Sequence, residues 1–148
     1  MQLKYVKVRD VKSPKRANST DAGIDFFVPE DIQTRVIFPS ESILIPSGIK
    51  VDVPSGWALI FKNKSGVATK KGLIVGAEVV DHGYSGEVHI HLINTGKEKV
   101  NIQPGEKIIQ GVMLEVGLHE PVEVSVDEMW NDVQSDRGEG GFGSTGTK

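Results

Sequence analysis

Hydrophobic and polar positions alternate along this chain in short runs, and glycines and prolines cut each run off after a few residues. The β-branched or alternating segments are Val6–Val8, Ile24–Val28, Val36–Phe38, Ser42–Ile45, Ile49–Val53, Trp57–Phe61, Leu73–Val75, Glu78–Val80, Glu87–Asn94, Lys99–Ile102, Lys107–Val116 and Val122–Val126. Many short strands between turn signals predict an all-β sandwich or barrel. Glu87–Asn94 shows the period of two clearly, with Val88, Ile90 and Leu92 on one face and His89 and His91 on the other. Only one stretch has helical spacing: Val126, Met129, Trp130 and Val133.

Size and charge narrow the picture. At 148 residues the chain is long enough for one domain with a real core, and no linker, repeat or charge block divides it. A formal charge of −3 argues against coating a nucleic acid, which needs a basic surface. The absence of cysteine removes disulfides, thiolate nucleophiles and cysteine zinc sites together. No apolar run is long enough to span a membrane, and the charged first ten residues do not resemble a signal peptide. The expectation is a soluble, cytoplasmic protein in which the sequon at Asn18 has no role.

The last dozen residues, Arg137–Lys148, differ in kind, with five glycines, one aromatic, three hydroxyls and one arginine. Such a terminus is ordinarily a flexible arm. Gly138, Gly140 and Gly143 fit G-x-G-x-x-G, but no helix can follow, so the dinucleotide fingerprint does not apply. Without a helix, glycine amides can still form an anion nest, Arg137 can grip phosphate bidentately, and Phe142 can stack on a base.

Three further constellations carry candidate chemistry. Asp81 and Tyr84 lie in a Gly-containing turn leading into the alternating strand. Lys62–Gly66 reads as a polar loop after Trp57–Phe61, and Asp21 and Asp25 could form a turn or hold magnesium. His89 and His91 lack a third ligand for zinc, and no nucleophile elbow G-x-S-x-G occurs.

The order of these motifs is more specific than any one of them. Asp21-Ala22-Gly23-Ile24-Asp25, Lys64-Ser65-Gly66, Gly76–Glu87, Gly105–Gln110 and Arg137–Gly146 together resemble the five-motif signature of the trimeric dUTPases. The resemblance covers nearly the whole chain. It implies a jelly-roll-like β-barrel over residues 1–136, with a Gly-rich arm over 137–148 that closes sites built between the subunits of a homotrimer. The implied reaction is hydrolysis of dUTP to dUMP and pyrophosphate by water attack on the α-phosphorus, supplying dUMP for thymidylate synthesis. Neither nucleic acid nor membrane is an implied partner.

Carried over by position, Asp81 would activate the water and Tyr84 would lie against the deoxyribose. The main chain around Val79, Val80 and His89 would read uracil. Lys64, Ser65, Gly66 and Gln110 would meet the phosphates. Arg137, Gly143, Ser144 and Thr145 would hold the far end of the triphosphate, while Phe142 stacks on the base. The implied cofactor is Mg2+, held mainly by the triphosphate, with Asp25 reaching it through water. The chain departs from the usual pattern at Lys64 and Ser85, where arginine is common, at Glu78 for glycine and at Glu139 for serine; Glu139 is expected to face solvent. A dCTP deaminase of the same fold and a non-enzymatic nucleotide-binding trimer are the competing readings.

Overall fold

The computed structural model describes residues 2–130, 135–144 and 146. It divides into two compact units, Met1–Leu118 and His119–Lys148.

The first unit is a jelly-roll-like β structure. Its strands are β1 (Lys4–Lys7), β2 (Ile24–Phe27), β3 (Arg35–Ile37), β4 (Ser42–Pro46), β5 (Ile49–Asp52), β6 (Trp57–Asn63), β7 (Leu73–Val75), β8 (Val79–Val80), β9 (His89–Asn94), β10 (Val100–Ile102) and β11 (Lys107–Glu115). All pairings are antiparallel, and they form sheets β2-β11-β6-β8, β4-β9-β7, β1-β5 and β3-β10. The core lies between them, with Phe26, Leu59, Ile90, Leu92, Ile102 and Ile109 fully enclosed. Phe26 meets Phe61 edge-on at a centroid distance of 5.0 Å, a favoured aromatic geometry. The alternation expected in β9 is present: Val88, Ile90 and Leu92 are buried, whereas His89 is exposed and His91 half-buried.

Three expectations need correction. Lys62 and Asn63 continue β6 rather than opening a loop, and Ser65–Lys71 forms a helix, α1. Helix α1 buries no residue, so it has no apolar stripe to betray it. What stops it is Gly72, left-handed at φ 66°, whose N–H returns to the Ala68 carbonyl. Val122–Val126 is not a strand.

In the second unit, residues 119–125 are irregular and Val126–Met129 forms a short helix, α2. A capping box explains its start: the Ser125 and Glu128 side chains reciprocally cap the first turn. The serine and glutamate three apart were a legible signal for it. Val133, expected in the same helix, lies outside the described residues.

Candidate active site

The turn between β8 and β9 holds the first group of predicted residues. Tyr84 N–H donates to the Asp81 carbonyl at 3.3 Å, and Gly83 adopts φ 86° at the third position of that turn. A left-handed residue there requires glycine, so local turn chemistry sets where Asp81 and Tyr84 stand. The turn is then tied down from outside. His82 Nδ1 lies 2.7 Å from the Val53 carbonyl, and because a carbonyl only accepts, the ring proton sits on that nitrogen. The Tyr84 hydroxyl donates to the Glu87 carbonyl at 3.0 Å, and His89 Nδ1 donates to the same oxygen at 2.9 Å.

The Glu87 carboxylate takes the Arg9 guanidinium and the Gly48 amide, each at 2.8 Å. Burial pushes the Glu87 pKa up, but Arg9 and the Gly48 N–H outweigh it and leave it below the ordinary range.

These constraints shape a recess of about 160 Å³ lined by Phe61, Ala77, Glu78, Val79, Val80, Asp81, Tyr84, Val88 and His89. Pockets for drug-sized ligands run about 300–1,000 Å³, so this one suits a single heterocycle. Strand β8 is the edge of its sheet. Phe61 N–H donates to the Glu78 carbonyl, so that pair is hydrogen-bonded, and the next pair, Ile60 with Val79, is not. The Val79 N–H and C=O therefore point off the sheet edge, toward whatever occupies the recess.

A second group gathers where β2, β11 and the start of α1 meet. Asp25 pairs with Gln110 across the sheet, and the Gln110 amide donates to the Asn63 carbonyl at 2.8 Å. Gly23 is packed so closely on the Gln110 side chain that any Cβ would displace it. Ser65 and Gly66 open α1 and are exposed. Asp25 is 3% exposed; its Oδ1 accepts from Lys64, and its Oδ2 lies 3.1 Å from Lys107. Burial pushes the Asp25 pKa up, yet the two lysines overcome this and hold it below its usual value.

This donor set does not fit a metal. Magnesium demands open oxygen ligands in near-octahedral geometry, and both oxygens of Asp25 face ammonium groups. Among the described residues, no three His, Asp or Glu side chains gather as a metal cage. His91 Nδ1 accepts the Ala77 amide at 3.0 Å, so His91 is committed to holding the chain before β8.

The arm carries the third group. Arg137–Gly140 and Gly141–Ser144 form consecutive turns, and Arg137 Nε donates to the Gly140 carbonyl at 2.8 Å. Phe142 is fully exposed at φ 47°, a conformation that costs a bulky residue about 1–2 kcal/mol. A hollow lined by Asp136, Arg137, Gly141, Phe142, Gly143 and Ser144 lies beside it. Glu139 is exposed. Thr145 lies outside the described residues.

The structure therefore unites Val79, Val80, Asp81, Tyr84 and His89 in one recess, and brings Lys64 onto the Asp25 carboxylate with Gln110 as the cross-strand neighbour of Asp25. Lys107, Glu87, Arg9 and His82 were missed. Only the adjacent Ile108 and Ile109, breaking the alternation of β11, hinted at an irregularity beside Lys107.

The chain matches the family model described as dUTPase over residues 9–146. It is 36% identical to the deoxyuridine 5'-triphosphate nucleotidohydrolase of Clostridium tetani, over 99% of this chain and 96% of that one. The dUTPase of Staphylococcus bacteriophage 80alpha, solved with dUPNHPP, has a TM-score of 0.86 and 27% identity, covering 99% of both chains. A dUTPase from phage phi11 of S. aureus, described with a structural Mg(II) ion, shares the fold at a TM-score of 0.76 and 23% identity; the match covers 84% of this chain and 97% of that one.

Proposed function

The chain belongs to the dUTPase family, whose reaction is hydrolysis of dUTP to dUMP and pyrophosphate, and from that premise we propose how its residues divide the work. The observation that carries the reading is the recess that gathers Val79, Val80, Asp81, Tyr84 and His89 around one base-sized space. Uracil enters it and pairs with the outward N–H and C=O of Val79. A slot of fixed donors and acceptors rejects cytosine by mismatched hydrogen bonds, and its walls reject the methyl group of thymine. The Tyr84 ring lies against the deoxyribose and leaves no room for a 2′-hydroxyl.

Asp81 accepts a proton from the water that attacks the α-phosphorus. General-base help contributes roughly 10²–10⁴-fold, well short of the 10⁶-fold or more typical of enzymes. The remainder comes from positioning and charge. Lys64, the Ser65 hydroxyl, the Gly66 N–H and the Gln110 amide meet the phosphates. Arg137, Gly143, Ser144 and Thr145 hold the leaving pyrophosphate, and Phe142 covers the base and excludes water. Mg2+, if bound, would be held by oxygens of the triphosphate rather than by a protein cage, and would help offset charge on the leaving pyrophosphate.

The working unit is a homotrimer. Asp25, Lys64 and Gln110 are not among the residues that line the recess, as expected if a site is completed by a second subunit. Tyr5, Val6, Val36, Leu44 and Leu114 are exposed apolar residues on the strands, and Phe38 is exposed just after β3, all available for burial between copies.

The test is to supply the purified protein with dUTP, UTP, dCTP and dTTP in turn. Pyrophosphate from dUTP in large excess over the others is expected. Ammonia from dCTP, or no turnover at all, would overturn the reading.

A further inference from the structure

Strand β11 contains a β-bulge that changes where one lysine points. Lys107 pairs with Phe27, Ile109 with Phe26, and Gln110 with Asp25, so Ile108 is the extra residue. In a regular strand, residues 107 and 110 would project from opposite faces, because their separation is odd. Phe27 and Asp25 share a face of β2, and cross-strand partners share a face, so the bulge puts Lys107 on the same face as Gln110 and Asp25. Bulges are common beside active sites, where they re-aim a side chain.

Charge gives the re-aimed lysine a purpose. Lys64 alone neutralises Asp25, and its point-like ammonium engages only Oδ1. An arginine at position 64 could close both oxygens with its fork; lysine leaves Oδ2 to Lys107, at 3.1 Å. One carboxylate facing two ammonium groups leaves a surplus of one positive charge. That surplus is accessible, since the Lys107 side chain is 42% exposed against 5% for Asp25. An ammonium has three donors, so Lys107 has others to offer beside Gln110.

We propose that Lys107 is a further phosphate-binding residue of the site, and that Asp25 is the positioning residue holding Lys64 and Lys107 rather than a ligand presented to a metal. This rests on the dUTP reading above. The triphosphate, which carries the most charge, gains most from the added cation; dUMP gains least.

The test measures binding of the imido analogue of dUTP and of dUMP to the purified full-length protein by titration calorimetry, in EDTA and in excess Mg2+. Lys107→Gln is expected to weaken analogue binding about tenfold in EDTA, the scale of one charge-assisted hydrogen bond. It should change dUMP binding about twofold or less and flatten the salt dependence of the analogue. Lys107→Arg should restore most of the loss. For Asp25→Asn, the ratio of analogue affinities with and without Mg2+ should match that of the wild type; a collapsed ratio overturns the role given to Asp25. Equal analogue affinity for Lys107→Gln and wild type overturns the role given to Lys107, even if Asp25→Asn does not fold. Pyrophosphate release from dUTP by the wild type separates the two claims. Its absence sinks the functional reading and this inference together, whereas its presence beside an unaffected Lys107→Gln sinks only the inference.

Discussion

The hydroxyl of Tyr84 donates to the backbone carbonyl of Glu87 at 3.0 Å, so the aromatic ring is pinned by the same residue whose carboxylate joins the turn to Arg9 and Gly48. The position of the ring thus depends on a short hydrogen-bonded loop closed on itself. Tyr84→Phe keeps the ring and removes the bond, and is expected to cost about 0.5–1.5 kcal/mol at most, with selectivity retained. Tyr84→Ala removes the ring, and the preference for dUTP over UTP should fall sharply in a competition assay.

Glu87 should reveal itself through pH. Its pKa is lowered by folding, so the stability it adds is present while both folded and unfolded states are ionised. That contribution begins to fall at the ordinary glutamate pKa and disappears as pH drops through the lower folded value. Glu87→Gln should therefore be less stable than wild type in urea at neutral pH, and the difference should shrink on acidification. A constant difference across that range would separate Glu87 from the acid sensitivity of the fold.

Asp81→Asn keeps the shape of the turn and removes the base. Turnover is expected to fall roughly 10²–10⁴-fold, while the imido analogue still binds. Rapid-quench measurement of pyrophosphate release checks the first part, and calorimetry the second.

Gly83→Ala tests the turn itself. A Cβ at φ 86° meets its own backbone although nothing else crowds it, so a loss of about 1–2 kcal/mol is expected from local strain alone. The thermal midpoint reports that loss. A larger effect on turnover than on stability would show that the turn places Asp81.

Deleting Gly138–Lys148 should leave the melting temperature of the first unit nearly unchanged and reduce turnover severely. Among the described residues, the hydrogen bonds of Arg137 and of its following turns lie within the second unit, and Phe142 is fully exposed. Wild-type rates from the shortened chain would remove the arm from the mechanism.

Sequence alone determined the β class and most strand positions, because those follow from period-two burial and turn chemistry within a few neighbours, whereas Val79, Val80 and His89 were singled out only through the resemblance to a family. Asp81, Tyr84 and Gly83 lie in one continuous stretch, so their proximity needed no folding to predict. Helix α1 escaped because it buries nothing, and Val122–Val126 misled because β-branched residues with no partner strand among the described residues do not make a sheet. Only tertiary structure could bring Arg9 to Glu87, 78 positions away, or Lys64 to Asp25, 39 positions away. It also decided that Asp25 meets ammonium groups instead of solvent, and that a bulge turns Lys107 toward it. The physical reason is that a charged group's environment is fixed by strand register and burial, which no local pattern encodes.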